Sequence, residues 1–164
     1  MKKNIVLIGM SGCGKTTIGE MLSKRLSMSF NDTDRIIEMK QQKKIKDIFA
    51  ESGESFFREL ETECAKEVSS LENAVISTGG GMILKEENMN YLKKNSVVIY
   101  LKRSVESIIK TMDASGRPLL SNGVERLYEM ERVRGALYEK YADIVAVNER
   151  AAEDTIDEII KNLQ

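Results

Sequence analysis

Residues 9–16 have the composition and spacing of a phosphate-binding loop. They read Gly-Met-Ser-Gly-Cys-Gly-Lys-Thr and match the pattern G-x-x-x-x-G-K-[ST]. The glycines let the backbone curl so that successive N–H groups point at phosphate oxygens, and a following helix would add its positive N-terminal end. Lys15 would place an ammonium beside the β- and γ-phosphates, and Thr16 would offer a hydroxyl to Mg²⁺. The loop therefore predicts binding of a nucleoside triphosphate.

The loop does not by itself specify a reaction, because GTPases, motor ATPases and small-molecule kinases all carry it. Cys13 within it admits two interpretations, a catalytic thiol or a residue that fills a variable position of the pattern. We favour the second. The choice among reactions depends on residues elsewhere in the chain.

Two carboxylates, Asp32 and Asp34, follow the second apolar run of the sequence. Residues two apart on an extended segment face the same way, so both side chains could point to the carboxyl edge of a parallel sheet, where ligands bind. Neither residues 74–77 nor residues 97–101 end in aspartate, so Asp32 is the best candidate for outer-sphere contact with Mg²⁺, and Asp34 could orient or deprotonate an acceptor hydroxyl. Alternatively, Asp32 caps the next helix and Asp34 is solvated in its first turn. The residues alone leave both interpretations open.

The elements that would hold these residues alternate between apolar runs and amphipathic stretches. The apolar runs predict strands at residues 4–8, 28–32, 74–77, 97–101 and 144–147. The amphipathic stretches predict helices at residues 15–26, 33–41, 45–51, 54–71, 86–93, 105–112, 124–140 and 153–163. This order predicts an α/β fold with a parallel sheet and helices on both faces, in a single domain over residues 1–164.

Composition narrows the classes of function. The net charge is −1, with 25 basic and 26 acidic residues, so no overall field favours nucleic acid or an anionic membrane. Apolar runs of about five residues fall far short of the ~20 that span a bilayer, and the N-terminal stretch is too short for a secretory signal. Two cysteines without paired spacing predict a reduced, cytoplasmic protein. The absence of histidine excludes histidine-based acid–base chemistry and metal ligation.

Several motifs follow the phosphate loop in a characteristic order. They are Asp32-Thr33-Asp34, residues 49–61 (FAESGESFFRELE), Gly79-Gly80-Gly81, Arg117-Pro118-Leu119-Leu120 and Arg134-Gly135-Ala136-Leu137-Tyr138. In this order and spacing, from about residue 3 to residue 150, they resemble the shikimate kinases. The resemblance implies a three-layer α/β/α P-loop kinase fold, with a five-stranded parallel sheet in the order 2-3-1-4-5. It also implies ATP-dependent phosphorylation of the 3-hydroxyl of shikimate, in aromatic amino-acid biosynthesis, with Mg²⁺.

The same resemblance implies roles for individual residues. The catalytic residues would be Lys15, Asp34 and Arg117. The ATP-binding residues would be Gly12, Cys13, Gly14, Lys15, Thr16, Thr17, Lys110, Arg117 and Arg150. The shikimate-binding residues would be Asp34, Arg58, Gly79, Gly80, Gly81 and Arg134. The metal would be held near Thr16 and Asp32. The substrate-binding segment would cover about residues 33–61, and a lid about residues 112–123.

These roles make chemical sense for a ring that carries one carboxylate and three hydroxyls. Two guanidiniums can bind a carboxylate in forked geometry, and Glu61 lies three residues after Arg58, where it can fix that guanidinium. The three glycines expose backbone N–H groups and allow close approach. An arginine on a helix is usually just solvated, and Tyr138 is better explained as a packing residue than as a catalyst.

The polar connection over residues 113–123 is long for a compact domain, which favours a functional lid over an ordinary surface loop. A closing lid would exclude water and bring Arg117 to the transferring phosphoryl group, with Pro118 stiffening the backbone. Two positions depart from the family pattern. Lys110 replaces the usual arginine near adenine, and Ala136 replaces the usual proline, which leaves the aim of Arg134 less defined.

Three alternatives stay open at this point. The chain could be a kinase of the same architecture for gluconate or a nucleoside monophosphate, a nucleotide-dependent switch without an acceptor, or a shikimate-binding protein without activity. The sequence argues against a switch, because a protein without an acceptor would not need Arg58, Arg134 and the triple glycine. The expected partners are the small-molecule substrate alone, with no nucleic acid or membrane, and the expected state is a monomer.

Overall fold

The computed structural model describes residues 3–114 and 121–164, and its centre is a five-stranded parallel sheet. The strands are β1 Asn4–Ile8, β2 Ser29–Asp32, β3 Ala74–Ser77, β4 Ser96–Lys102 and β5 Ile144–Val147. The helices are α1 Lys15–Leu26, α2 Thr33–Gln41, α3 Ile45–Val68, α4 Glu86–Lys93, α5 Val105–Ala114, α6 Ser121–Tyr141 and α7 Ala152–Leu163, with a 3₁₀ turn at Met82–Leu84. The spatial order β2-β3-β1-β4-β5 confirms the predicted order 2-3-1-4-5.

Side chains of the central strand β1 divide between two hydrophobic clusters. Val6 and Ile8 pack in a cluster with residues of α3, α4 and α6, whereas Ile5 and Leu7 pack in a second cluster with residues of α1 and α7. The split follows from the alternation of side chains along a strand, since successive residues point to opposite faces. All five residues of β1 are buried. The sheet is therefore covered on both faces, which confirms the predicted three-layer arrangement.

The carboxyl ends of the strands bring distant segments together. Leu7 near the end of β1 pairs with Ser77 of β3, and Ser77 in turn pairs with Asp32 of β2. Because all strands run parallel, the loop after β1, the aspartates after β2 and the glycines after β3 meet at one edge. The fold thus assembles candidate residues that lie far apart in sequence.

Two boundaries differ from the prediction. The predicted break at Gly53 is a kink within α3, where Gly53 adopts φ 84° and ψ 171°, and the helix ends at Val68 rather than at residue 71. The polar connection predicted over residues 113–123 is shorter, because α5 continues to Ala114 and α6 begins at Ser121. Small polar residues are also favoured where helices begin, so their presence does not separate a loop from a first helical turn. Within the described ranges, no helix combines the length and apolarity needed to cross a membrane.

Candidate active site

The phosphate loop connects β1 to α1 and needs glycine at two of its turns. Gly12 and Gly14 have φ values of 83° and 100°, a region that other residues rarely adopt. The Cys13 N–H donates to the Met10 carbonyl at 3.1 Å, which closes the loop on itself. Gly14 directly precedes the first residue of α1. The loop therefore lies at the positive end of a helix, where an anion is stabilised.

Lys15 is buried, and its ammonium lies over this loop. Its Nζ atom donates to the carbonyls of Gly9 at 2.5 Å and Met10 at 2.9 Å. The Cys13 sulfur is 3.6 Å from the same Nζ atom and packs in the hydrophobic cluster beneath the loop. These contacts place a positive charge within the loop and leave Cys13 inside the protein, as expected for a residue that fills space.

Asp32 caps a helix and also contacts the phosphate loop side of the site through Thr16. Its Oδ1 atom accepts hydrogen bonds from the N–H groups of Asp34 at 2.9 Å and Arg35 at 3.3 Å, so the side chain caps α2. Its Oδ2 atom accepts a hydrogen bond from the Thr16 hydroxyl at 3.3 Å. Carboxylate and hydroxyl oxygens suit Mg²⁺, which keeps several waters and needs few protein ligands. This pair of residues therefore fits a magnesium site beside the loop, and no cluster of three or more acidic, cysteine or histidine ligands occurs in the described part of the chain.

Asp34 is not solvated, contrary to one of the two interpretations of the sequence. Its Oδ1 atom is buried and has no hydrogen-bond partner among the described residues. Burial raises the pKa of this carboxyl to about 6, with Asp32 and Glu61 adding to the shift and the Lys15 ammonium opposing it. A carboxylate with this pKa and a free acceptor atom is suited to receive a proton near neutral pH.

Arg58 is fixed by a buried carboxylate, as the spacing on the helix predicts. Its Nη1 atom is 2.5 Å from Oε1 of Glu61, and its Nη2 atom is 3.3 Å from Oε1 of Glu54. Burial raises the pKa of Glu61, while the hydrogen bond and the charge of Arg58 oppose that rise. The Arg58 guanidinium also lies 5.5 Å from the ring centre of Phe57. The guanidinium is therefore held in one orientation.

Each glycine of the triplet after β3 borders one candidate side chain. A β-carbon added to Gly79 would lie 2.6 Å from Oδ1 of Asp34, and one added to Gly80 would lie 3.4 Å from Nη1 of Arg134. A β-carbon on Gly81 would overlap the guanidinium of Arg58. Gly79 and Gly81 therefore leave the space in which Asp34 and the Arg58 guanidinium lie, whereas a β-carbon at Gly80 would be in ordinary contact with Arg134.

Two hydrogen bonds fix this triplet to the rest of the protein. The Gly79 N–H donates to the Thr33 hydroxyl at 3.2 Å, and the Tyr138 hydroxyl donates to the Gly80 carbonyl at 2.6 Å. Tyr138 is fully buried and stacks on Tyr100 with ring centres 5.1 Å apart. Burial raises the pKa of Tyr138 far above its ordinary value, which leaves the phenol neutral. Tyr138 therefore supports the glycine turn as a packing residue.

Two adjoining cavities contain these groups. The first, the loop cavity, lies beside the phosphate loop and has a volume of about 470 Å³. The second, the arginine cavity, has a volume of about 630 Å³ and includes Arg58, Glu61 and Arg134 in its wall. The two cavities share Ser11, Asp34, Gly79 and Gly80. Asp34 thus lies at the junction of the two cavities, where a ligand bound in one would be adjacent to a ligand bound in the other.

The residues that line the loop cavity differ in part from those that the sequence predicted to flank the adenine. Arg150 lines the cavity, whereas Lys110 is exposed on α5 and is absent from the lining residues. Arg103 and Thr111 line it instead, and Arg103 Nη2 donates to the Thr111 hydroxyl at 2.5 Å. Arg103 directly follows β4, so the rule that ligands bind at the carboxyl ends of strands was the available signal for it.

Three further residues were absent from the sequence-based set. Arg126 and Glu129 of α6 line the arginine cavity. Asn148, after β5, lines the loop cavity. Arg117 lies outside the described residues.

A family profile and a relative from Clostridium botulinum carry the same description. The sequence profile of the family described as Shikimate kinase matches residues 11–164. The Shikimate kinase of Clostridium botulinum (strain Alaska E43 / Type E3) is 45% identical over 161 residues, which cover 98% of this chain and 97% of the relative.

Among solved structures, the Shikimate kinase from Acinetobacter baumannii in complex with shikimate superposes with a TM-score of 0.91 at 34% identity, covering 99% of this chain and 93% of that one. A gluconokinase from Sinorhizobium meliloti 1021 reaches a TM-score of 0.61 at 16% identity, over 98% of this chain and 95% of its own, and shares the fold alone.

Proposed function

The chain belongs to the shikimate kinase family, and we propose how its own residues perform the reaction of that family. The reaction transfers the γ-phosphoryl group of ATP to the 3-hydroxyl of shikimate and yields shikimate 3-phosphate and ADP. One observation carries the assignment of roles: the loop cavity and the arginine cavity meet at Asp34 and the first two glycines of the triplet. A donor phosphate in one and an acceptor hydroxyl in the other would be adjacent there.

The loop cavity takes the ATP. The N–H groups of the loop, including those of Gly12, Cys13 and Gly14, bind the phosphates, and the Lys15 ammonium neutralises charge on the transferring group. Thr17, which directly follows Thr16 on α1, lines the same cavity. These groups act mainly through position and charge, because the transition state of phosphoryl transfer is loose.

Thr16 and Asp32 would hold Mg²⁺ beside the phosphates of the nucleotide, directly or through its waters. The Thr16 Oγ1 and Asp32 Oδ2 atoms are 3.3 Å apart, which supports a role for both residues at one ion. When bound, the ion neutralises charge on the β- and γ-phosphates. Asp32 also caps α2 and so fixes the start of the helix that carries Asp34.

The arginine cavity takes shikimate. The ring carboxylate pairs with the guanidiniums of Arg58 and Arg134, and Gly79, Gly80 and Gly81 allow the ring to lie close to the backbone. The carboxylate of Asp34, which lines both cavities, accepts the hydrogen of the 3-hydroxyl. As the new oxygen–phosphorus bond forms and the bond to the ADP oxygen breaks, the proton passes to Asp34.

The other family roles complete this proposal. Arg117, in the lid over residues 112–123, stabilises the transferring phosphoryl group. Arg150 flanks the adenine, and Arg103 and Thr111, which line the loop cavity where Lys110 does not, take the place that the family pattern gives to Lys110. We also propose that the protein works as a monomer in the cytoplasm. Its two cysteines, Cys13 and Cys64, are free and buried, which supports a reduced compartment.

A coupled ADP-release assay tests the function. Purified enzyme is given ATP and Mg²⁺ with shikimate, gluconate or a nucleoside monophosphate as acceptor. We expect ADP release to be stimulated by shikimate, with gluconate and nucleoside monophosphates close to the rate without acceptor. Absence of stimulation by shikimate would overturn the proposal, and stimulation by gluconate would assign the arginine cavity to another polyhydroxy acid.

A further inference from the structure

The side chain of Asn148 lies against the phosphate loop, at the edge of the loop cavity. It follows β5, is 7% exposed, and its Nδ2 atom donates to the carbonyl of Cys13 at 2.8 Å. The two residues are 135 positions apart in the sequence. We propose that Asn148, held by Thr155, is a positioning residue that fixes the direction of the Cys13–Gly14 peptide and thereby its phosphate-binding N–H group.

The amide of Asn148 has one favourable orientation. Its Oδ1 atom accepts a hydrogen bond at 2.8 Å from the hydroxyl of Thr155, which is fully buried on α7. The Cys13 carbonyl can only accept, so the amide nitrogen must face it. Rotation of the amide by half a turn would place two oxygens against each other. The Cys13 carbonyl therefore determines which end of the Asn148 amide faces the loop, and the Thr155 hydroxyl, which can donate or accept, holds the other end in place.

The backbone of Asn148 gives the amide a rigid base. Its N–H donates to the Lys102 carbonyl at 2.8 Å, at the end of β4. The side chain also packs against the loop, since a β-carbon on Gly14 would lie 2.6 Å from Nδ2. Asn148 thus connects the sheet and α7 to one peptide unit of the loop.

Fixing the carbonyl of this peptide also fixes its N–H. The bond between Cys13 and Gly14 is trans, and in a trans peptide the C=O and N–H groups point in opposite directions. Because the Cys13 carbonyl faces Asn148, the Gly14 N–H faces away from it. Gly14 lines the loop cavity together with Lys15 and Thr16. Asn148 and Thr155 therefore keep one donor directed at the phosphates.

This inference rests on the proposed function, in that the loop binds the phosphates of ATP. The decisive variant is Thr155→Val, which keeps the shape of the side chain and removes the hydroxyl, with Thr155→Ser as its matched control. Thr155 is absent from the residues that line either cavity, so a direct contact with nucleotide would not explain an effect. The readouts are KM for ATP, KM for shikimate, the Kd of ADP by calorimetry, and Tm.

We expect Thr155→Val to raise the KM for ATP and the Kd of ADP about tenfold, as for a misdirected hydrogen bond to a charged group. The KM for shikimate should stay unchanged, and Thr155→Ser should resemble the wild type. Thr155→Ala, which also removes the hydroxyl from a residue outside both cavities, should have the same effect on nucleotide binding and decides the question if Thr155→Val does not fold.

A lower Tm with unchanged nucleotide affinity, or equal changes in both KM values, would overturn the inference. ADP binding needs no acceptor, so this test is separate from the assay of wild-type activity with shikimate.

Discussion

The guanidinium of Arg58 occupies the space that a side chain at residue 81 would need. A β-carbon built on Gly81 would overlap its Nη1 atom. The same Nη1 atom is 2.5 Å from Oε1 of Glu61, whose side chain is only 1% exposed. Arg58 is thus confined between a buried carboxylate on one side and a bare backbone on the other. The missing side chain at residue 81 is what allows the guanidinium to lie in the wall of the arginine cavity.

This relationship predicts the effect of Gly81→Ala. The added methyl group should displace the Arg58 guanidinium and raise the KM for shikimate about 10- to 100-fold, the range for loss of a hydrogen bond to a charged group. The KM for ATP should not change. Gly135→Ala is the matched control, since nothing lies within 4 Å of a β-carbon at that position of α6. Unchanged steady-state kinetics with shikimate in the Gly81 variant would contradict the prediction.

Arg58→Ala removes the guanidinium itself. We expect shikimate affinity to fall about 10- to 100-fold and ATP affinity to be spared, because Arg58 lines only the arginine cavity. The unfolding free energy should fall as well, since Glu61 would be left buried and unpaired. Calorimetric titration with each substrate measures the affinities.

Two variants give this prediction its controls. Arg132→Ala removes an exposed partner of Glu129 and should change little, as surface ion pairs are worth about 0–1 kcal/mol. In the double variant Arg58→Ala/Glu61→Gln, stability should recover while shikimate affinity stays weak. Equal loss of affinity for ATP and shikimate would show that Arg58 supports the whole fold rather than the acceptor.

The fold and the phosphate loop were predictable because their signals are local. The pattern of residues 9–16 specifies a loop between a strand and a helix, and the observed α1, Lys15–Leu26, has the predicted bounds. The alternation of apolar runs with amphipathic stretches was enough to predict a parallel sheet with helices on both faces. Asp34 and Arg58 could be named because their motifs have an order that resembles a known family.

The remaining features depend on distances that a sequence does not contain. Asp32 turned out to cap α2 and to contact Thr16 with different oxygens of one carboxylate. Whether Lys110 or Thr111 borders the loop cavity depends on the rotation of α5 about its axis. Asn148 meets Cys13 only because β5 lies beside β4 in the sheet. No motif marks such a contact between distant segments.

Asp34→Asn tests the proposed proton acceptor. The amide keeps the shape of the side chain and cannot take the proton, so kcat should fall about 10²- to 10⁴-fold, the usual contribution of a general base or orienting group. ATP binding should remain. Asp47→Asn, at an exposed position of α3, is the control and should have wild-type activity. Turnover close to that of the wild type, measured by ADP release, would remove Asp34 from the mechanism.

The pH dependence of the wild type should follow the same carboxyl. As a base, Asp34 must be ionised, and burial raises its pKa from 3.8 to about 6. We therefore expect kcat/KM for shikimate to decline as the pH falls through about 6, since at saturating ATP this parameter reports the enzyme–ATP complex before shikimate binds. The decline should be measured at saturating ATP. A profile that stays flat down to pH 5 would contradict a base with this pKa.

The raised pKa of Asp34 also predicts an opposite effect on stability. Between its unfolded pKa of 3.8 and its folded pKa of about 6, the folded protein binds more protons at this residue than the unfolded chain. The unfolding free energy therefore falls as the pH rises through this window, and the loss persists above it. A shift of this size corresponds to about 1–3 kcal/mol after allowance for solvent screening.

Asn at position 34 carries no charge, so Asp34→Asn should be more stable than the wild type at pH 7.5. The difference should be much smaller near pH 4, where the folded protein is protonated at this position and the unfolded chain is protonated in part. Urea denaturation of the two proteins at pH 4, 6 and 7.5 measures it, with Asp47→Asn again as the control. A variant that is less stable than the wild type at pH 7.5 would show that ionised Asp34 stabilises the fold. An aspartate that raises activity and lowers stability in the same pH range is the behaviour expected of a buried catalytic carboxylate.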